Sequence, residues 1–100
     1  MAIICVIAEA EHERVLRQTG NLYVLEPLFV RALKADAFLW VTFIDPYGDT
    51  ILNRLQIPHF LEEWDRLVAL CESDAEAQAL AEVRALAEYC LEEPHLYLRF

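Results

Sequence analysis

Ala2–Ala8, which reads Ala-Ile-Ile-Cys-Val-Ile-Ala, is an unbroken apolar run rich in β-branched residues. Such a run has no polar face to give to water, so it suits a strand in the middle of a sheet, buried on both faces. The chain must therefore supply other elements to flank and cover it. Two kinds of periodicity downstream provide them. Leu25, Leu28, Phe29, Ala32 and Leu33 recur at helical spacing, with Pro27 where a first-turn proline is tolerated and Arg31 and Lys34 off the stripe. Ala37–Ile44 is aromatic and β-branched instead, the composition of a strand.

That strand runs into Asp45-Pro46-Tyr47-Gly48-Asp49 and then Thr50–Leu55, which together read as a β-hairpin. Pro46 presets φ in the turn and Gly48 supplies a positive φ to close it. Glycine occurs only at positions 20 and 48, so both act as punctuation. Gly20 is expected to stop a polar helix over Glu9–Gln18, and Leu22–Leu25 to be a short strand or an extended entry. Pro58 opens a helix to about Cys71 with Ile57, Phe60, Leu61, Trp64, Leu67, Val68 and Cys71 inward, and Glu62 and Arg66 in order for an outward i,i+4 pair. Ser73-Asp74-Ala75-Glu76 matches a capping box and starts a helix to about Leu91, whose stripe is Leu80, Val83, Ala87, Cys90 and Leu91. The short link between these helices makes them an antiparallel pair. Pro94 ends the second, and His95–Phe100 alternates as a last strand with Leu96, Leu98 and Phe100 on one face.

The expected architecture is a single α+β domain over residues 1–100. It has about four mostly antiparallel strands, with helices, including the C-terminal pair, on one face. The apolar fraction of 57% exceeds the usual ~45–50% and excludes disorder.

Composition narrows function more by exclusion. The net charge is −9, which repels phosphate backbones and anionic membranes, so neither nucleic acid nor membrane is an expected partner. Met1–Ala8 lacks a basic leader and meets Glu9 and Glu11, unlike a signal peptide; no apolar run is long enough to span a bilayer. Cys5, Cys71 and Cys90 are odd in number and lie in apolar patterns, as reduced core residues of a cytoplasmic protein do. Cys71 ends the first helix of the C-terminal pair, beside the turn, and Cys90 lies about 16 residues along the second, which at 1.5 Å per residue separates them by roughly 24 Å, beyond disulfide reach.

No catalytic constellation emerges. Glu9-x-x-His12 has the spacing of half a di-iron site, but only one copy exists and its segment is polar. Asp45 and Asp49 flank the hairpin tip without the alternating acids of a calcium loop, and Asp45 suits turn chemistry. His12, His59 and His95 are scattered, and no glycine-rich phosphate loop is present. No metal or cofactor is expected.

Charge distribution stands out. Glu62–Glu93 holds ten acids and two bases, Arg66 and Arg84. The plain reading is two solvated helix faces; the functional one is a docking surface for a basic partner, steered by long-range attraction. Tyr89, placed off its helix's apolar stripe between Glu82 and Glu88, suits such an interface, as does Tyr47 at the hairpin tip. Tyr47, Asp45, Asp49, Glu82, Glu88 and Tyr89 are therefore the candidate partner-binding residues.

In size, acidity, α+β pattern and lack of catalytic motifs the chain resembles bacterial immunity proteins of toxin systems. The stretch Phe43–Gln56, FIDPYGDTILNRLQ, is similar to a segment of small uncharacterised bacterial proteins and carries no functional residue across. The resemblance implies a non-catalytic protein-binding module that neutralises a basic toxin. The alternatives are a homo-oligomeric structural or regulatory domain, for instance a homodimer paired through the His95–Phe100 edge, and a small ligand-binding domain or enzyme.

Overall fold

The computed structural model describes residues 5–8, 15–20, 22–35, 51–92 and 96–100. The strands are β1 (Cys5–Ala8), β2 (Val15–Gln18), β3 (Ile51–Leu52) and β4 (Leu96–Arg99); the helices are α1 (Glu26–Ala35), α2 (Ile57–Leu67) and α3 (Asp74–Cys90). The fold is α+β. β1 pairs antiparallel with β2 on one side and β4 on the other, and the two-residue β3 pairs antiparallel with β4, giving the order β2-β1-β4-β3. β1, which holds the described part of the apolar N-terminal run, thus takes an interior position in the sheet. Along β4, Leu96 and Leu98 are buried and Phe100 follows them, while Tyr97 and Arg99 are half-buried.

Val15–Gln18 corrects an expectation. The segment has good helix formers, yet it lies as a strand along β1, with a register shift between Val6 and Ile7. An interior strand leaves backbone N–H and C=O groups open along both edges, and pairing them outweighs the few tenths of a kcal/mol per residue of helix propensity. Gly20 follows a strand, so it stops no helix here. Residues 9–14, including the Glu9–His12 pair, lie outside the described residues. Tyr23–Leu25 is a single 3₁₀ turn rather than a strand, closed by Leu25 N–H donating to the Leu22 carbonyl at 2.9 Å.

α1 begins with Glu26 and Pro27 in its first turn and carries Lys34 in its last, charges that suit the helix dipole. Leu25, Leu28 and Ala32 are buried and Phe29 is half-buried, but Leu33 is exposed. Leu33 lies roughly 100° round the helix from Ala32, beyond the edge of the stripe.

Of the expected hairpin, only Ile51–Leu52 is a described strand; Asp45, Tyr47 and Asp49 lie outside the described residues. β3 stops early because Asn53 starts a turn. Its Oδ1 accepts from the Leu55 and Gln56 amides, both at 3.0 Å, and its own N–H donates to Gln56 Oε1 at 2.9 Å. An Asx turn of this kind diverts backbone donors from the ladder.

α2 buries Ile57, Phe60, Leu61, Trp64 and Leu67, but Val68 is exposed. The α-helix gives way there to a 3₁₀ turn over Val68–Leu70, so Val68 lies past the end of the buried stripe rather than within it. The capping box is confirmed on its serine side: Ser73, in extended conformation, accepts from the Glu76 amide at 3.2 Å. α3 then buries Ala79, Leu80, Val83, Leu86, Ala87 and Cys90 and lies against β1 and β4.

Trp64 is the centre of the core. Its ring meets Phe29 of α1 edge-on at 5.9 Å, Phe60 at 5.0 Å and Phe100 at 6.4 Å, and Phe60 meets Phe100 at 5.3 Å. Its Nε1–H donates to the Leu80 carbonyl inside α3 at 2.9 Å. Buried indole N–H groups need such a partner. Replacing Trp64 with Phe deletes that bond and part of the packed ring, so urea denaturation followed by circular dichroism should show a loss of about 2 kcal/mol; an unchanged midpoint would mean that Trp64 does not bind these elements together.

Candidate functional site

The acid-rich segment is the candidate, and folding sorts its carboxylates into distinct environments. Glu76, third residue of α3, is buried. Both its carboxylate oxygens accept from Arg31 Nη2, at 2.7 and 2.8 Å, and Oε1 also accepts the Glu72 amide at 2.7 Å. Arg31 goes further: its Nε donates to the Leu70 carbonyl at 3.0 Å and its Nη1 reaches Glu72 at 3.3 Å. One guanidinium of α1 thus holds the end of the 3₁₀ turn, the inter-helix link and the first turn of α3.

The Arg31 hydrogen bonds, aided by the Glu72 amide, hold the Glu76 carboxyl below the usual glutamate range. In the capping box as read from sequence, Glu76 would turn back to the Ser73 amide; here it bonds one residue earlier and spends its charge on Arg31. It is a structural acid and no part of a docking face.

Glu63 is also buried. On the outer side of α2 and α3, Arg84 bridges Asp65 at 2.7 Å and Glu88 at 3.1 Å. These pairs are exposed and contribute a few tenths of a kcal/mol each, but they halve the local charge. Glu88 is therefore exposed yet engaged. Glu62, Asp74, Glu82 and Glu92 are exposed, and none of the four makes an ion pair among the described residues.

Tyr89 is placed differently from the outward-facing position its spacing predicts. It is half-buried against the core, and Arg17 of β2 sits over its ring with Cζ 3.9 Å from the centroid, within cation–π range. The ring expected to project for a partner is covered by an arginine of its own chain. Reading residues 9–18 as a helix hid Arg17 from this role, because only its place in the sheet brings it over α3.

Glu82 is the candidate placed on a surface feature. Leu22, Val24, Ala75, Gln78, Ala79, Ala81 and Glu82 line a groove of about 550 Å³ between the segment entering α1 and the first half of α3. Leu22 and Ala79 are buried and form the floor; Gln78 and Glu82 bring polar groups to it.

Neither Cys71 nor Cys90 is set up as a reactive thiolate. Cys71 and Cys90 are free; burial raises the Cys71 thiol and pushes that of Cys90 up to about 12. Among the described residues no group of histidine, cysteine and carboxylate side chains is arranged to hold a metal ion, and no helix is long and apolar enough to cross a membrane. Comparison with protein-family models, curated proteins and solved structures finds no match.

The sign of the Glu76 shift sets a pH dependence. A carboxyl depressed in the folded state contributes its stability fully above the unfolded glutamate value of about 4.3 and loses it as pH falls through the folded value. The urea midpoint of the natural chain should therefore fall on acidification below that value more steeply than that of Glu76→Gln, whose midpoint is lower at pH 7. Parallel acid profiles would show that Arg31 and Glu76 are not coupled in this way.

Proposed function

We propose that the chain is a protein-binding module without catalytic activity whose partner is a basic protein, acting in the cytoplasm as an immunity-type protein that neutralises a basic toxin. The carrying observation is the −9 net charge together with exposed acids on α2, on α3 and just past its end that no ion pair among the described residues neutralises: Glu62, Asp74, Glu82 and Glu92. Like-signed exposed charge of this kind costs a folded domain some self-repulsion and speeds association with a cationic surface. The finer architecture, about four mostly antiparallel strands with the helices on one face and α2 and α3 as an antiparallel pair, belongs to the same reading, since it presents both helices outward together.

A second reading, self-association, is favoured by a different observation. Val30 and Leu33 on α1 and Val68 beyond α2 are 50%, 56% and 57% exposed. Phe29 meets Trp64 one turn before Leu33 and Val68 respectively, so the two exposed residues continue adjacent rows. A homo-oligomer would cover them.

A tagged copy, incubated with lysate of the source organism and washed at low and at high salt, separates these readings. A basic protein retained at low salt and released at high salt, where screening shortens the reach of exposed charges, is the expected result. Recovery of the untagged chain alone, with a concentration-dependent elution volume in size-exclusion chromatography, would replace the partner reading with the oligomer.

A further inference from the structure

We infer that the groove between Leu22–Val24 and α3 is where the partner docks, and that its occupant is a protein segment presenting an apolar side chain beside an arginine or lysine. The inference rests on the basic-partner reading and adds the face and the chemistry of the contact.

The acids of α3 differ in what their charge is used for. Glu76 is bound by Arg31 and Glu88 by Arg84. Glu82 is exposed and makes no ion pair among the described residues, and it lies on the wall of a groove whose floor is Leu22 and Ala79. Val24, 38% exposed, adds apolar surface on the opposite wall. An apolar floor with one uncompensated carboxylate at its edge complements a side-chain pair of the opposite kind: burial of the apolar member supplies affinity and the cation supplies orientation.

The surroundings fix the polarity of that pair. Tyr89 lies seven residues, or two turns, beyond Glu82 on the same flank of α3, and Arg17 occupies its ring. Glu82 is the one carboxylate among the described residues lining the groove, so the basic residue of the occupant sits beside it, and Arg17 two turns beyond limits the site to a single cation. A volume of about 550 Å³ holds a few side chains, which matches an inserted segment of a larger protein.

Two synthetic peptides of equal positive charge test this against the isotope-labelled full chain by nuclear magnetic resonance. One places leucines at helical spacing among arginines and alanines; the other has serine in place of every leucine. The leucine peptide should bind and shift the backbone amides of Leu22, Val24, Ala75 and Glu82, and the serine peptide should bind far more weakly. Glu82→Lys should weaken the leucine peptide by about tenfold, the scale of exchanging one attraction between opposite charges for a repulsion between like ones. Glu62→Lys, an equal charge change on the exposed side of α2, should have a much smaller effect. Equal binding of both peptides, no binding of either, shifts centred on α2, or equal effects of the two substitutions would each overturn the inference. If a basic lysate protein is retained equally by the natural chain and by Glu82→Lys, the groove is wrong and the partner reading stands. If no basic protein is retained by the natural chain, it is the partner reading that fails.

Discussion

The indole of Trp64 is the contact through which separately formed parts of this chain meet. Its ring touches α1 through Phe29, its own helix through Phe60, and the end of β4 through Phe100. Its one polar atom is satisfied by a carbonyl of α3. Aromatic side chains carry more buried area than any others and impose edge-to-face geometry, so one such residue at a junction sets both the spacing and the angle of the helices around it. A carbonyl inside a helix keeps a second lone pair after its intrahelical bond, which lets Leu80 accept the indole without loss to α3.

Arg31 does for the periphery what Trp64 does for the core. The link between α2 and α3 is short and leaves carbonyls and amides at two helix ends that need partners. Ser73 satisfies one amide, Glu76 another, and Arg31 takes the Leu70 carbonyl while neutralising Glu76. A planar, five-donor guanidinium can serve all of these at once; a lysine ammonium, lacking the fork, could not. Spending two arginines, Arg31 and Arg84, on internal carboxylates also sorts the acids. Among the described residues, the acids that remain exposed without an ion pair, Glu62, Asp74, Glu82 and Glu92, are fewer than the ten of the segment imply.

Much of the fold was legible because it follows from local pattern. The helical stripes of α1 and α2, the serine cap of α3, the interior place of β1 and the alternation of β4 each depend on residues within a few positions of one another, where side-chain period and capping chemistry act directly. The misjudged residues cluster where one turn type gives way to another. Val68 left its stripe at a 3₁₀ turn, and Thr50–Leu55 lost its second half as a strand to the Asn53 side chain. In both places a local alternative competes closely with the periodic one, and the apolar pattern alone does not reveal which prevails.

The candidate site was less legible. The acidity of α2 and α3 and the exposure of Glu82 are properties of composition and helical spacing, and these the sequence by itself determined, along with the mixture of helix and strand. Tertiary structure alone decided that Val15–Gln18 is a strand, that Arg17 covers Tyr89, and that Arg31 reaches across 45 residues to bury the charge of Glu76. The physical reason is one of range. Propensity, capping and periodicity are settled between near neighbours, whereas a sheet edge in need of a partner and a guanidinium in need of a carboxylate are satisfied by whatever the closed chain brings beside them.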